Sequence, residues 1–263
     1  DGFDPLLMQV NTSSEYWQKA ASLLTTDPLG QHDVALPENA RAYLLAGTQH
    51  TGAAGRVADR GPCVHPRNPH SPGPALRALL HALREWACAG VAPPPSSVPR
   101  IADGTAVPAE RLGFPALPGV AVARAANVPE RIADWVHARP AVGPQVVPLV
   151  PRVDEDGNEV AGVLLPDIAV PLGTHTGWNL YRAPYPECEL CDRDGSFLAF
   201  ARTRVERTQS GDPRLSLQER YGSPEAYVQR VAAAVEALLR QRLLLPEDAS
   251  LYVEAARARR LWD

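Results

Sequence analysis

The first ninety residues alternate between two kinds of hydrophobic pattern, and this alternation limits the fold more than any other feature of the chain. Residues 6–10 are a short apolar run (Leu6, Leu7, Met8 and Val10 around one Gln) that ends in Asn11, Thr12, Ser13 and Ser14. That pattern predicts a buried strand followed by a loop. From 15 to 24 the spacing of Tyr16, Trp17, Ala20, Ala21 and Leu24 predicts a helix. A turn containing Asp27, Pro28 and Gly30 leads to a second buried strand over residues 42–46, closed by Gly47, Thr48, Gln49 and His50. A loop dense in Gly, Pro, Asn and His over 51–73 precedes a helix predicted over 74–89. Pro74 lies near its start, Leu76, Leu79, Leu80, Leu83, Trp86 and Ala87 sit at helical spacing, and Gly90 stands at its end. Strand, helix, strand, helix is the signature of the edge of a mostly parallel α/β sheet. Two parallel strands cannot stand alone, because such a sheet needs more strands and cover on both faces. We therefore expect the rest of the sheet to come from outside this stretch.

Beyond residue 91 the character changes. Many of the 27 prolines fall between Pro93 and Pro148, which predicts extended chain packed over a scaffold. Residues 102–105 predict a turn between two short strands, and 129–138 a short helix containing Trp135. The polar turn at 154–158 predicts a β-hairpin joining residues 146–153 to 159–165. The tail is helical. Ser223, Pro224 and Glu225 supply a cap, a first-turn proline and an acid, Val228, Val231, Val235, Leu238 and Leu239 make the buried stripe, and a last helix starts at Pro246 and runs to about Arg259. We expect two parts: 1–91 as α/β core, and 92–263 as a Pro-rich, hairpin and helical extension.

A formal charge of −4 gives no reason to expect nucleic acid or an anionic membrane as partner, and no window is long and apolar enough to span a bilayer. The chain opens on Asp1 without a charged-then-apolar leader, so residues are expected to precede it in the parent protein; the compartment stays open. Cys63, Cys88, Cys188 and Cys191 are too few for a disulfide scaffold, and their spacing gives no pairing. Cys188 and Cys191 form a C-x-x-C, but neither a second such pair nor a nearby His completes a zinc set, so no metal is expected, and no cofactor either. Cys88, inside a helical pattern, is expected to be a small buried thiol. The acids from Asp154 to Asp156 do not have the spacing of an EF-hand loop.

The chemistry is expected where the two strands end. Glu15 lies just past the first strand and His50 four residues past Ala46, so both fall on loops at the carboxyl edge of the sheet, where sites of open α/β sheets form. A carboxylate there accepts the imidazole Nδ1–H and stabilises the imidazolium that forms when the ring takes a proton from a nucleophile. Asp27 is the fallback acid if the loop after Val10 is long; Asp4 precedes the strand and would point to the wrong edge. His65 and His70 flank Asn68 and Pro69 near His50 and read as pocket-shaping or solvated loop residues. His175 and Trp178, in a polar–aromatic cluster after an apolar run, are candidates for a substrate-pocket wall, with a buried Trp plug as the alternative.

Several strings carry a family resemblance. The segments Gln9-Val10-Asn11-Thr12-Ser13-Ser14-Glu15-Tyr16-Trp17, Ala46-Gly47-Thr48-Gln49-His50, Asn68-Pro69 and Pro74-Ala75-Leu76-Arg77-Ala78-Leu79 are similar to large bacterial α/β-hydrolase domain-containing proteins. The similarity continues through residues 165–172, 176–180, 200–203 and 219–222, and so covers most of the chain. It implies an esterase-like or related hydrolase but does not define the substrate, for which a small ester-like molecule is expected. Acid before histidine is the chain order of the α/β-hydrolase fold, in which a serine nucleophile comes first. The departure is the nucleophile. No Gly-x-Ser-x-Gly elbow occurs; the nearest imitation, Pro69-His70-Ser71-Pro72-Gly73, has prolines where the turn must flex and follows the histidine, while Ser13 and Ser14 sit in the acid's own loop. The chain is thus expected to be the C-terminal part of such an enzyme, with His50 as general base and Glu15 as its orienter. Serine, oxyanion donors and most of the sheet would lie in an N-terminal part of the same protein, and the chain alone would be inactive. The alternatives are a non-catalytic binding or structural module, and one half of a split hydrolase.

Overall fold

The first strand, β1 (Leu7–Thr12), lies parallel to β2 (Ala40–Leu45), in unbroken register from Leu7 opposite Ala40 to Thr12 opposite Leu45. The structure is a computed structural model that describes residues 4–50 and 59–261; of the loop expected over 51–73, residues 51–58 lie outside it. Because the strands run the same way, the segments leaving Thr12 and Leu45 emerge at one edge. β2 is the interior strand: Ala42, Tyr43, Leu44 and Leu45 are buried, and single parallel bridges join Tyr43 to Ser97 and Leu45 to Val163 on its far side. The proline-rich stretch thus lends β2 one short neighbour at Ser97 without forming a long strand, as residues lacking an amide hydrogen dictate, and the arm over 159–165 lends the other at Val163. Among the described residues no strand pairs with the outer edge of β1, where Leu7 is half exposed.

Helix α1 (Ser13–Gln18) starts directly at the end of β1, and α2 (Gly73–Ala89) follows β2, with Gly90 in the left-handed conformation closing it at φ 67°. The single helix expected over 15–24 is broken. Ala20 takes φ 51°, and a 3-10 turn, Ala21–Leu24, redirects the chain so that Ser22 Oγ accepts from Leu149 N at 2.9 Å. The buried face of α2 is also rotated from the expected stripe. Ala75, Ala78, Leu79 and Ala82 face inward, allowing close approach, while Leu80 is 68% exposed. Cys88, expected to be buried, is consequently exposed.

The middle of the chain holds small antiparallel pairs. The turn expected at 102–105 precedes β3 (Ala106–Val107), which pairs with β6 (Val150–Pro151), but the arm before that turn forms no named strand. Instead of a helix, 129–138 holds β4 (Ile132–Asp134) and the turn into β5 (Arg139–Pro140), which pairs with it. Asp134 Oδ1 accepts from the amides of Val136 and His137, a local turn bond that competes with helix, and Trp135 is left 82% exposed. The hairpin expected across 154–158 forms but is short, with an antiparallel bridge from Val153 to Glu159 and bonds from Asp154 N to Asn158 O at 2.8 Å and from Val160 N to Arg152 O at 3.2 Å. Its arms diverge, one to β3 and the other to β2, and Glu159 is drawn into the sheet edge.

A short helix, α3 (Pro166–Ala169), leads to β7 (Gly173–His175), which pairs with β8 (Phe197–Ala199). The tail forms α4 (Arg204–Ser210), α5 (Leu217–Tyr221), α6 (Pro224–Arg240) and α7 (Pro246–Ala258), with α6 packed along α7. The Ser223 hydroxyl caps α6 by accepting from Ala226 N at 3.2 Å. The principal core draws on both sides of residue 91, joining Tyr43, Leu45 and Leu79 to Val163, Tyr221, Val231 and Val235. A second core gathers Trp17, Leu112, Val150, Val153 and Trp178. No helix among the described residues is long and apolar enough to cross a membrane.

Candidate active site

The two loops leaving the parallel strands are bonded to each other before they present any chemistry. Ser13 N donates to Thr48 O at 3.1 Å, and Glu159, entirely buried, accepts from Ser13 Oγ at 2.6 Å and from Gly47 N at 2.8 Å on the same oxygen. Burial pushes the Glu159 carboxyl up to about 7, and the two donors only partly offset that rise. Gly47 makes the turn at φ 63°, where a Cβ would stand 2.2 Å from Ile168 Cδ1. Gly177 is confined by approach, since a Cβ there would stand 2.2 Å from Ser13 Cβ. Ser14 Oγ donates to Gly177 O at 2.9 Å. Both serines beside the acid are therefore buried and committed to structure.

Glu15, in the first turn of α1, divides its carboxylate. Oε2 accepts from Thr12 N at 2.6 Å and from the Thr12 hydroxyl, and Oε1 is hydrogen-bonded to His50 Nδ1. The first pair of bonds fixes the carboxylate to the helix start; the second fixes the ring. With Nδ1–H turned to the acid, the neutral imidazole carries its lone pair on Nε2, the arrangement required of a general base. Among the described residues nothing hydrogen-bonds His50 Nε2, and the His50 side chain is 42% exposed against 16% for Glu15. Its backbone is held by Arg193 O at 3.4 Å.

A second layer braces the histidine loop. Gln49 Oε1 accepts from Asn68 N and Gly195 N, each at 3.1 Å. Asn68 Nδ2 donates to Gly47 O at 2.7 Å and Thr176 O at 3.0 Å, leaving Asn68 Oδ1 to accept from His70 N at 3.0 Å and from His175 Nδ1 at 2.8 Å. Glu159, Gln49 and Asn68 were not singled out as site residues in the sequence, and nothing local marks them, since their partners lie up to 146 residues away.

The remaining candidates fall elsewhere. Asp27 accepts from Leu29, Gln31 and His32 amides within its own turn, bonds (that from His32 foremost) that hold its carboxyl below the usual range. Trp178 is buried in the second core, 5.4 Å from Phe114 and 6.0 Å from Trp17 between ring centroids. The His65 backbone is bonded on both sides to Asn179, and burial of its ring, aided by Arg60, lowers its proton affinity. His70 and His175 meet edge to face at 5.5 Å in the wall of a cavity. Cys63 and Cys191 form a disulfide; with Asp194 they are the one group of potential metal ligands that converges among the described residues, and both their sulfurs are spent on each other.

Parallel strands whose carboxyl ends present an acid–imidazole pair, covered by helices, define an α/β protein of hydrolase type. The comparison with known families agrees: the profile described as an alpha/beta hydrolase domain matches residues 2–254, and the chain belongs to that family. The match covers both sides of residue 91. No curated protein and no solved structure matches the chain.

Proposed function

We propose that this hydrolase domain supplies the base and the acid of a Ser–His–acid triad for hydrolysis of a small carboxylic ester. The supporting observation is the Glu15–His50 hydrogen bond, with no partner for Nε2 among the described residues. His50 takes the proton of an attacking serine and returns it to the leaving group, while Glu15 fixes the tautomer and stabilises the imidazolium. The serine itself is proposed to come from polypeptide beyond residues 1–263. The sequence has no nucleophile elbow, and no serine among the described residues is bonded to His50. That added part would pair along the open edge of β1, where unpaired backbone groups invite a further strand. In this reading residues 1–91 complete the sheet and 92–263 extend over it.

The test uses ester hydrolysis by the parent protein, with p-nitrophenyl butyrate as probe. His50→Ala should lower kcat/KM by on the order of 10⁴ or more, and Glu15→Gln should follow it closely, because members of a triad act as a unit. Near-normal hydrolysis by His50→Ala rejects the reading. A serine-directed fluorophosphonate should label the parent protein but not the 263-residue chain alone. Labelling of the chain alone would place the nucleophile inside it. The competing reading, a non-catalytic binding module, draws on a cavity that neither Glu15 nor His50 lines. A parent protein unreactive to both probes favours it.

A further inference from the structure

A cavity of about 550 Å³ lies between the segment after Asn68, α3, β7, α6 and α7, a size typical of small-molecule sites. Its charged groups do not all cancel. Arg77 and Asp248 neutralise each other through two bonds, at 2.5 and 3.0 Å. Asp167 and Arg259 line the same cavity but form no ion pair with each other. Asp167 meets the imidazole of His70, at 3.2 Å from Nδ1, and the hydroxyl of Tyr252, neither of which is a full countercharge, and its side chain remains 32% exposed. Arg259 is exposed and has no ion pair among the described residues. Desolvation opposes ionisation of Asp167, but the His70 contact, aided by the charge of Arg259, outweighs it, so the carboxylate is charged.

His175 adds a directional acceptor. Asn68 Nδ2 is spent on two carbonyls, so Asn68 Oδ1 must be the atom that receives His175 Nδ1–H. Burial, together with the neighbouring His70, pushes the proton affinity of His175 down to about 3, so the ring is neutral and its Nε2 carries a lone pair. The wall also presents apolar side chains, Val170, Leu172, Phe197, Val231 and Leu251, beside Ser71, Tyr227 and Tyr252. A purely anionic ligand would place its charge beside Asp167, and a purely cationic one would leave Arg259 unanswered. A zwitterion satisfies both, and the apolar wall takes a hydrocarbon side chain.

We propose that this cavity binds a free α-amino acid with an apolar side chain, its ammonium held by Asp167 and His175 Nε2 and its carboxylate by Arg259. The site is separate from the Glu15–His50 pair and does not depend on the hydrolase reading. Isothermal titration calorimetry on the 263-residue chain tests it with L-leucine, L-phenylalanine, N-acetyl-leucine, leucinamide and glycine. Leucine and phenylalanine should bind, and N-acetyl-leucine, leucinamide and glycine should each bind about ten-fold more weakly or worse, since each lacks one of the three anchors. Asp167→Asn and Arg259→Ala should each cost a similar factor for leucine while leaving the far-UV circular dichroism unchanged. The ligand series on the unaltered chain keeps the test valid if a variant misfolds. Leucine failing to bind at millimolar concentration, or binding no better than its N-acetyl and amide derivatives, overturns the proposal.

Discussion

Glu159 joins the two loops that carry the acid and the histidine, and it does so from inside the protein, where its charge is costly. Its carboxyl is raised in the fold from an ordinary 4.5 to about 7. A raised carboxyl means that the folded state holds a proton the unfolded chain would release. The contribution to stability is therefore complete below about pH 4.5 and is lost as pH rises through about 7. The shift corresponds to on the order of 3 kcal/mol. Glu159→Gln keeps an oxygen for both donors and removes the titration. Urea unfolding of both proteins at several pH values should show the variant gaining on the wild type between pH 5 and pH 8, by up to that amount. A difference independent of pH would show that Glu159 does not titrate in this range. Glu159→Ala leaves Ser13 and Gly47 without their acceptor, and should destabilise at every pH by about 2 kcal/mol or more.

At the scale of elements, the segments that formed as the sequence suggested are those whose signals are local. β1, β2, α2, α6 and α7 each carry a strand run or a helical stripe bounded by turn or capping residues, and those bounds hold to within a few residues. Ser223 is one such bound, accepting from Ala226 N, and Ser223→Ala should cost about 1 kcal/mol in urea unfolding with the denaturant slope unchanged. The failures share a cause. The helix expected over 129–138 does not form, because Asp134 captures the amides of Val136 and His137. The hairpin around 154–158 stays short, because Leu45 recruits Val163 from one arm and β3 recruits the other. The site divides in the same way. Glu15 and His50 were legible because two parallel strands must deliver their loops to one edge. Glu159, Asn68 and Asp167 were not, because each acquires its role from a partner that only tertiary packing brings near.

At the scale of the whole molecule, Cys63 and Cys191 are joined across 128 residues, and the linkage lies beside the site. The segment after Cys63 runs against the one around Cys191, with Asn68 N bonded to Gly195 O at 3.3 Å, and Arg193 O accepts from His50 N. Closing so long a loop limits the unfolded chain strongly, by about 5 kcal/mol in the chain-entropy model and commonly by 2 to 5 in practice. Cys88 and Cys188 are exposed and unpaired, so they provide an internal control. Urea unfolding with and without a reductant should therefore show a loss of stability of about 2 kcal/mol or more on reduction. The Cys63→Ser, Cys191→Ser double variant should behave like the reduced protein and be indifferent to reductant, while Cys88→Ser, Cys188→Ser should behave like the wild type. Because His50 takes its backbone bond from the segment next to Cys191, reduction should also speed hydrogen exchange at the His50 amide more than at β2 amides. Equal acceleration at both would mean that the crosslink stabilises the molecule only globally, without specifically holding the histidine loop in place.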